Sequence, residues 1–214
     1  MTTKVSKSLV YDLYEYQKRR SPQKTCHKIA RLMNREEDSP LYRRIKLLGR
    51  ATGEPMEFIT QATFVTRLMR YISDDPMKDR DTLRRGKKPE PATDRAASKL
   101  LFRDLFLAEK DAEIARIVWN YFDAVAERWT DAWESTEKGD MLNRTQGFGA
   151  LMRFLAPVYR AKRDKQGRLA RAAVLSVLKG IELRDTAFTT DNYPPGGTGE
   201  GKLYRELREL SSIE

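Results

Sequence analysis

Apolar side chains recur at helical spacing along most of this chain, and short clusters of Ser, Pro, Gly and Asp interrupt them. Leu9, Val10, Leu13 and Tyr14 form one stripe, which predicts a helix opened by Ser6 or Ser8 and running to about Arg20. Ser21-Pro22 is a sharp restart, because serine accepts orphan amide bonds and proline suits the first helical position. The helix that follows carries Ile29, Leu32 and Met33 inward and ends near Asn34, before Asp38-Ser39-Pro40 breaks the chain. Ile45, Leu47 and Leu48, then a Gly/Pro turn, then Met56, Phe58 and Ile59, read as a small β-hairpin. Thr60 caps a helix in which Phe64, Val65, Leu68, Met69 and Ile72 repeat.

Residues 73–93 have little apolar content and read as an exposed, mobile loop containing the basic run Arg84-Arg85-Gly86-Lys87-Lys88. From Ala96 to about Glu134 the helical pattern is strong. Leu100, Leu101, Leu105 and Phe106 make one stripe, and Ile114, Ile117, Val118, Tyr121, Phe122, Val125 and Trp129 another, with Trp119 and Trp133 near its edges. Aromatic residues at this spacing are expected in the core rather than as base-stacking platforms. Gly139 separates a further helix that starts near Asn143, carries Phe148, Leu151, Met152, Phe154 and Leu155, and meets Pro157. A second basic cluster, Arg160 to Arg168, marks a helix–helix junction. Leu169, Ala173, Val174, Val177 and Leu178 predict the next helix, which stops at Gly180. Phe188-Thr189-Thr190 suggests a short strand, and Lys202 to Leu210 a last short helix. The pattern as a whole predicts a mainly α chain: one multi-helix, bundle-like domain over residues 1–214 with one small hairpin.

Composition narrows the classes. Of 214 residues, 40% are hydrophobic and 34% charged, and no apolar run reaches the ~20 residues of a membrane span. The N-terminal stretch lacks the apolar core of a signal peptide, and one cysteine makes neither an internal disulfide nor a cysteine-based zinc site, so a cytoplasmic location is expected. The net charge of +10 is uneven. Residues 1–107 hold 24 basic against 14 acidic side chains, whereas residues 108–214 hold 17 of each. A basic excess at one end suits a polyphosphate-facing surface, and it also suits a face tuned only for solubility. The candidate nucleic-acid contacts are Lys18, Arg19, Arg20, Lys24, Lys28 and Arg31 on two consecutive helices, Arg43, Arg44 and Lys46 on the hairpin, and Arg84, Arg85, Lys87 and Lys88 on the loop.

Catalytic chemistry finds little purchase. Gly196 to Lys202 imitates half of a nucleotide-binding loop, but Leu203 stands where a magnesium-holding hydroxyl is required. A glycine-rich lead into a capped helix explains it better. Cys26 and His27 are neighbours that point about 100° apart on a helix, and no second histidine completes a relay. Glu36-Glu37-Asp38 and Asp74-Asp75 read as solvated turns or helix caps rather than metal ligands. No catalytic residue, metal or cofactor is expected.

Several stretches along the chain carry a family resemblance. Val5 to Leu13, followed by Leu32-Met33-Asn34-Arg35-Glu36-Glu37-Asp38-Ser39-Pro40-Leu41-Tyr42-Arg43-Arg44-Ile45-Lys46-Leu47-Leu48-Gly49, resembles the back half of DGQHR-domain proteins, the bacterial and phage family that includes DndB-like regulators of DNA phosphorothioation. Trp119-Asn120-Tyr121-Phe122 with Arg128 to Trp133 is similar to a helix of that family, and Thr145 to Met152 to the helix start after it. The family's ParB-like front half, with its Asp-Gly-Gln-His-Arg signature, has no counterpart here. The resemblance implies a non-catalytic helical module of a DNA-modification or phage-defence system, bound to DNA or to a protein of that system. A protein–protein module that completes a separately encoded ParB-like front half stays open, as does an enzyme with an unrecognised site.

Overall fold

The computed structural model describes residues 19–47 and 53–213. The helix expected from Ser6 or Ser8 to about Arg20 therefore lies almost wholly outside the described residues, as does Lys18. The described chain is mainly helical, as its periodicity predicts, and it divides into two compact units. The first unit holds residues up to 38 and 42–115, and the second holds 39–41 and 116–214.

In the first unit, α1 (Pro22–Arg35) starts as the sequence dictates: the Ser21 hydroxyl accepts from the Lys24 amide at 3.1 Å, with Pro22 in the first turn. Cys26, Ile29, Ala30 and Met33 are buried on one face. Leu32, expected inward, is 41% exposed, because it precedes Met33 by one step of about 100° and so turns out of that face. Past the helix, the Asn34 carbonyl accepts from the Arg43 amide (3.1 Å) and its side chain from the Ile45 amide (2.7 Å), which sets the entry to β1 (Ile45–Lys46). β1 pairs with β2 (Ile59–Thr60) in parallel, Ile45 opposite Ile59. The two strands are thus present but do not form a hairpin. The dozen intervening residues are enough for the longer crossover that a parallel pair needs. Thr60 caps α2 (Gln61–Met69), accepting from the Thr63 amide at 3.1 Å, and Phe64, Val65 and Leu68 are buried.

The segment read as a loop contains a helix, α3 (Pro76–Arg84), capped by Asp75 and started by Pro76. Apolar periodicity misses it because a charge anchors it. Asp79 is buried and pairs with the buried Arg103, and the Ser73 hydroxyl also donates to Asp79. Two short helices follow, α4 (Asp94–Ala97) and α5 (Arg103–Leu107), and a left-handed Glu109 (φ 59°) precedes α6 (Asp111–Arg128). The first turn of α6 belongs to this unit, and the residues from Arg116 belong to the second.

The second unit packs aromatics along α6, α7 (Thr130–Glu134) and α8 (Thr145–Lys162). Phe122 stacks on Phe148 (5.2 Å between centroids) and on Trp133 (5.8 Å), and Trp129 meets Phe188 edge-on at 5.0 Å. Trp129 and Trp133 are buried, whereas Trp119 is half-buried. α8 continues past Pro157, the residue that follows the apolar positions read from the sequence. The buried Phe154, Leu155, Val158 and Tyr159 on either side outweigh the lost backbone bond, a penalty of about 3 kcal/mol. α9 (Arg171–Lys179), a 3₁₀ turn (Asp185–Ala187) and α10 (Gly197–Leu210) complete the unit. The strand expected at residues 188–190 is a single antiparallel bridge, Thr189 to Asp140.

Candidate nucleic-acid interface

Lys24, Lys28, Arg31 and Arg35 recur on α1 at i, i+4, i+7 and i+11, which stacks them along one line of the helix surface. That line lies opposite the face made by Cys26, Ile29, Ala30 and Met33, so core burial itself turns the basic stripe outward. Lys28 and Arg35 are exposed and have no ion-pair partner among the described residues, while Lys24 and Arg31 are half-buried. Arg35 is not among the candidates taken from the sequence, although it continues the same spacing by one step. Arg19 is exposed just ahead of the helix. Three carboxylates, Glu36, Glu37 and Asp38, follow the stripe at exposed positions and limit its length at that end.

The structure distributes the other candidates differently. Arg20 is committed inside the fold: its guanidinium pairs with Asp111, donates to the Phe106 carbonyl and lies 4.0 Å over the Phe106 ring. Thr25 donates to the same Asp111 at 2.9 Å. A guanidinium so used is a tether between α1 and the start of α6, and it is withdrawn from phosphate contact. Arg44 is only 7% exposed, so it too offers no open charge. Arg43 is exposed but held in a left-handed conformation (φ 54°) and paired with Glu54 at 3.2 Å. Lys46 is half-buried on β1. Arg84, Arg85, Lys87 and Lys88 are all exposed after α3, with no ion-pair partner among the described residues.

The two side chains the sequence offered as nucleophile and base, Cys26 and His27, both lie inside the fold. Cys26 is fully buried, and burial, reinforced by the Asp111 charge, pushes its thiol pKa up, away from the reactive thiolate. His27 is equally buried, with Nδ1 2.5 Å from the Gln61 amide nitrogen. The glycine-rich segment is helix rather than phosphate cradle. Gly197 to Gly201 form the first turns of α10, and a Cβ on Gly199 would sit 2.1 Å from the Pro194 carbonyl, so glycine there serves close packing. Lys202 donates to the Asn192 carbonyl at 2.8 Å. Among the described residues no group of three or more His, Cys, Asp or Glu is placed to hold a metal ion.

A cleft of ≈ 430 Å³ opens beside α3, rimmed by Asp75, Lys78, Lys88 and Glu90 over the Asp79–Arg103 pair. All five N–H donors of Arg103 are engaged, by Asp79 and by the Ile72 and Glu90 carbonyls. The floor is a closed structural pair under a rim of mixed sign, so it presents no concentrated charge to a ligand.

No protein-family model matches this chain, and neither curated proteins nor solved structures give a match to it. No described helix is long and apolar enough to cross a membrane.

Proposed function

We propose that this chain is a non-catalytic helical module that rests on the phosphate backbone of DNA through the outward stripe of α1. The stripe of Lys24, Lys28, Arg31 and Arg35 carries the reading: four cations on one line of one helix, opposite the buried face. The exposed run at residues 84–88 adds charge in the same unit. Such contacts hold the duplex by charge and read little sequence, because phosphates are alike at every base pair. The likeness of Leu32 to Lys46 and of Thr145 to Met152 to DGQHR-domain proteins supplies the setting, a DNA-modification or phage-defence system.

A gel-shift titration across salt concentrations tests the reading. Lys28 and Arg35 are exposed and unpaired among the described residues, so K28E/R35E should fold normally and bind every duplex sequence more weakly. The log–log salt slope should fall by about 0.9 for each phosphate that the variant no longer neutralises. No binding at low salt, or affinity indifferent to salt, would leave the stripe a solubilising surface and turn the search to a protein partner.

A further inference from the structure

The half of the chain whose charges balance still concentrates positive charge in one place, and the fold gives that place a fixed shape. Because α8 continues past Pro157, Lys162 is its last residue and the chain turns at Arg163. The loop from Arg163 to Ala170 is then tied at several points. The Asp164 carboxylate accepts from the Gln166 amide (2.9 Å), the Arg168 amide (2.8 Å) and the Arg168 side chain (2.8 Å). The Asp164 amide donates back to the Arg168 carbonyl at 2.9 Å, and Gly167 takes the left-handed conformation (φ 78°) that closes the turn. Tyr159 donates its hydroxyl to the Gly167 carbonyl, and the Asn120 amide donates to the Leu169 carbonyl, each at 2.8 Å.

This construction sorts the charges by sign. The single carboxylate of the loop is spent on backbone amides, and the Arg168 amide foremost holds its pKa below the usual range. Lys162, Arg163 and Lys165 are left exposed, with no ion-pair partner among the described residues. Arg168 stays on the surface beside them in an exposed pair, and exposed pairs contribute little and exchange readily.

We infer that the loop around Lys162, Arg163 and Lys165 is a second phosphate contact for duplex DNA, made by the second unit. A fixed loop loses little conformational freedom on binding, so its charges act without a large ordering cost. Insertion into a lipid surface needs exposed apolar side chains as well as charge, and the large exposed ones among the described residues, Leu32, Met77 and Leu210, are not part of the loop. The choice of DNA rests on the role proposed for α1, whereas the residues are independent of it.

The full-length chain, K162E/K165E and K28E/R35E should be titrated with mixed-sequence duplex at several salt concentrations. Thermal unfolding serves as the folding control, since all four side chains are exposed. K162E/K165E is expected to bind all sequences more weakly and to lower the salt slope by about 1–2, while K162R/K165R retains binding. Unchanged affinity in K162E/K165E, with K28E/R35E impaired, overturns the second contact and leaves the role of α1 standing. The reverse pattern keeps the loop and removes α1. A wild-type chain that binds anionic vesicles but no duplex overturns both.

Discussion

Trp129 shows what one side chain does in this fold. Its indole is fully buried, its ring meets Phe188 edge-on, and its N–H donates to the Leu183 carbonyl at 2.8 Å. Both the apolar and the polar part of the ring are therefore satisfied internally, leaving nothing to stack on a base. Trp129→Ala should cost about 3–5 kcal/mol of stability, seen in chemical denaturation. Trp119, half-buried on α6, should cost less. An intact midpoint for Trp129→Ala, coupled to a loss of nucleic-acid binding, would contradict this assignment. Helical spacing places Trp129 in the core, since it continues the stripe of Tyr121, Phe122 and Val125, and sets Trp133 at the edge of that stripe, where the fold buries it too. Arg20 is beyond such reasoning. Its partner Asp111 lies far along the chain, and sequence spacing carries no information about which cation an acid will meet across the fold.

At the scale of elements, the contrast between α2 and α3 explains what was legible. α2 announces itself through a threonine cap and buried Phe64, Val65 and Leu68, so apolar period and capping chemistry agree. α3 has the cap and the proline, Asp75 and Pro76, but its one buried residue is Asp79. A helix anchored by charge leaves no apolar period to read. The same limit hid the parallel sense of β1 and β2, because two-residue strands specify a location but no direction. The Asp79–Arg103 pair makes a sharp prediction at this scale. Asp79→Ala would strand a buried guanidinium, so global stability should fall by about 3–5 kcal/mol. Limited proteolysis should then cut first within residues 73–93, where Arg103 holds the Ile72 and Glu90 carbonyls at either end of the segment. A cleavage pattern unchanged from the wild type would mean that other contacts hold α3 in place.

For the molecule as a whole, the +10 charge is less informative than where its cations lie. Arg20, Arg44 and Arg103 are held within the fold, while Lys28 and Arg35 on α1, Arg84, Arg85, Lys87 and Lys88 after α3, and Lys162, Arg163, Lys165 and Arg168 around the second loop are exposed. Every cation in these sets is Lys or Arg. The side chain whose charge ordinarily changes between about pH 5 and 8 is histidine, and the chain has a single one, His27, buried on the core face of α1. The DNA affinity proposed for this chain should therefore change little at fixed ionic strength from about pH 6.5 to 8.5. Changing salt over the same range of conditions should move it by orders of magnitude. Fluorescence anisotropy on the full-length chain, in buffers matched for ionic strength, separates the two effects. A steep loss of affinity across neutral pH would contradict an interface built on the α1 stripe and the 162–168 loop.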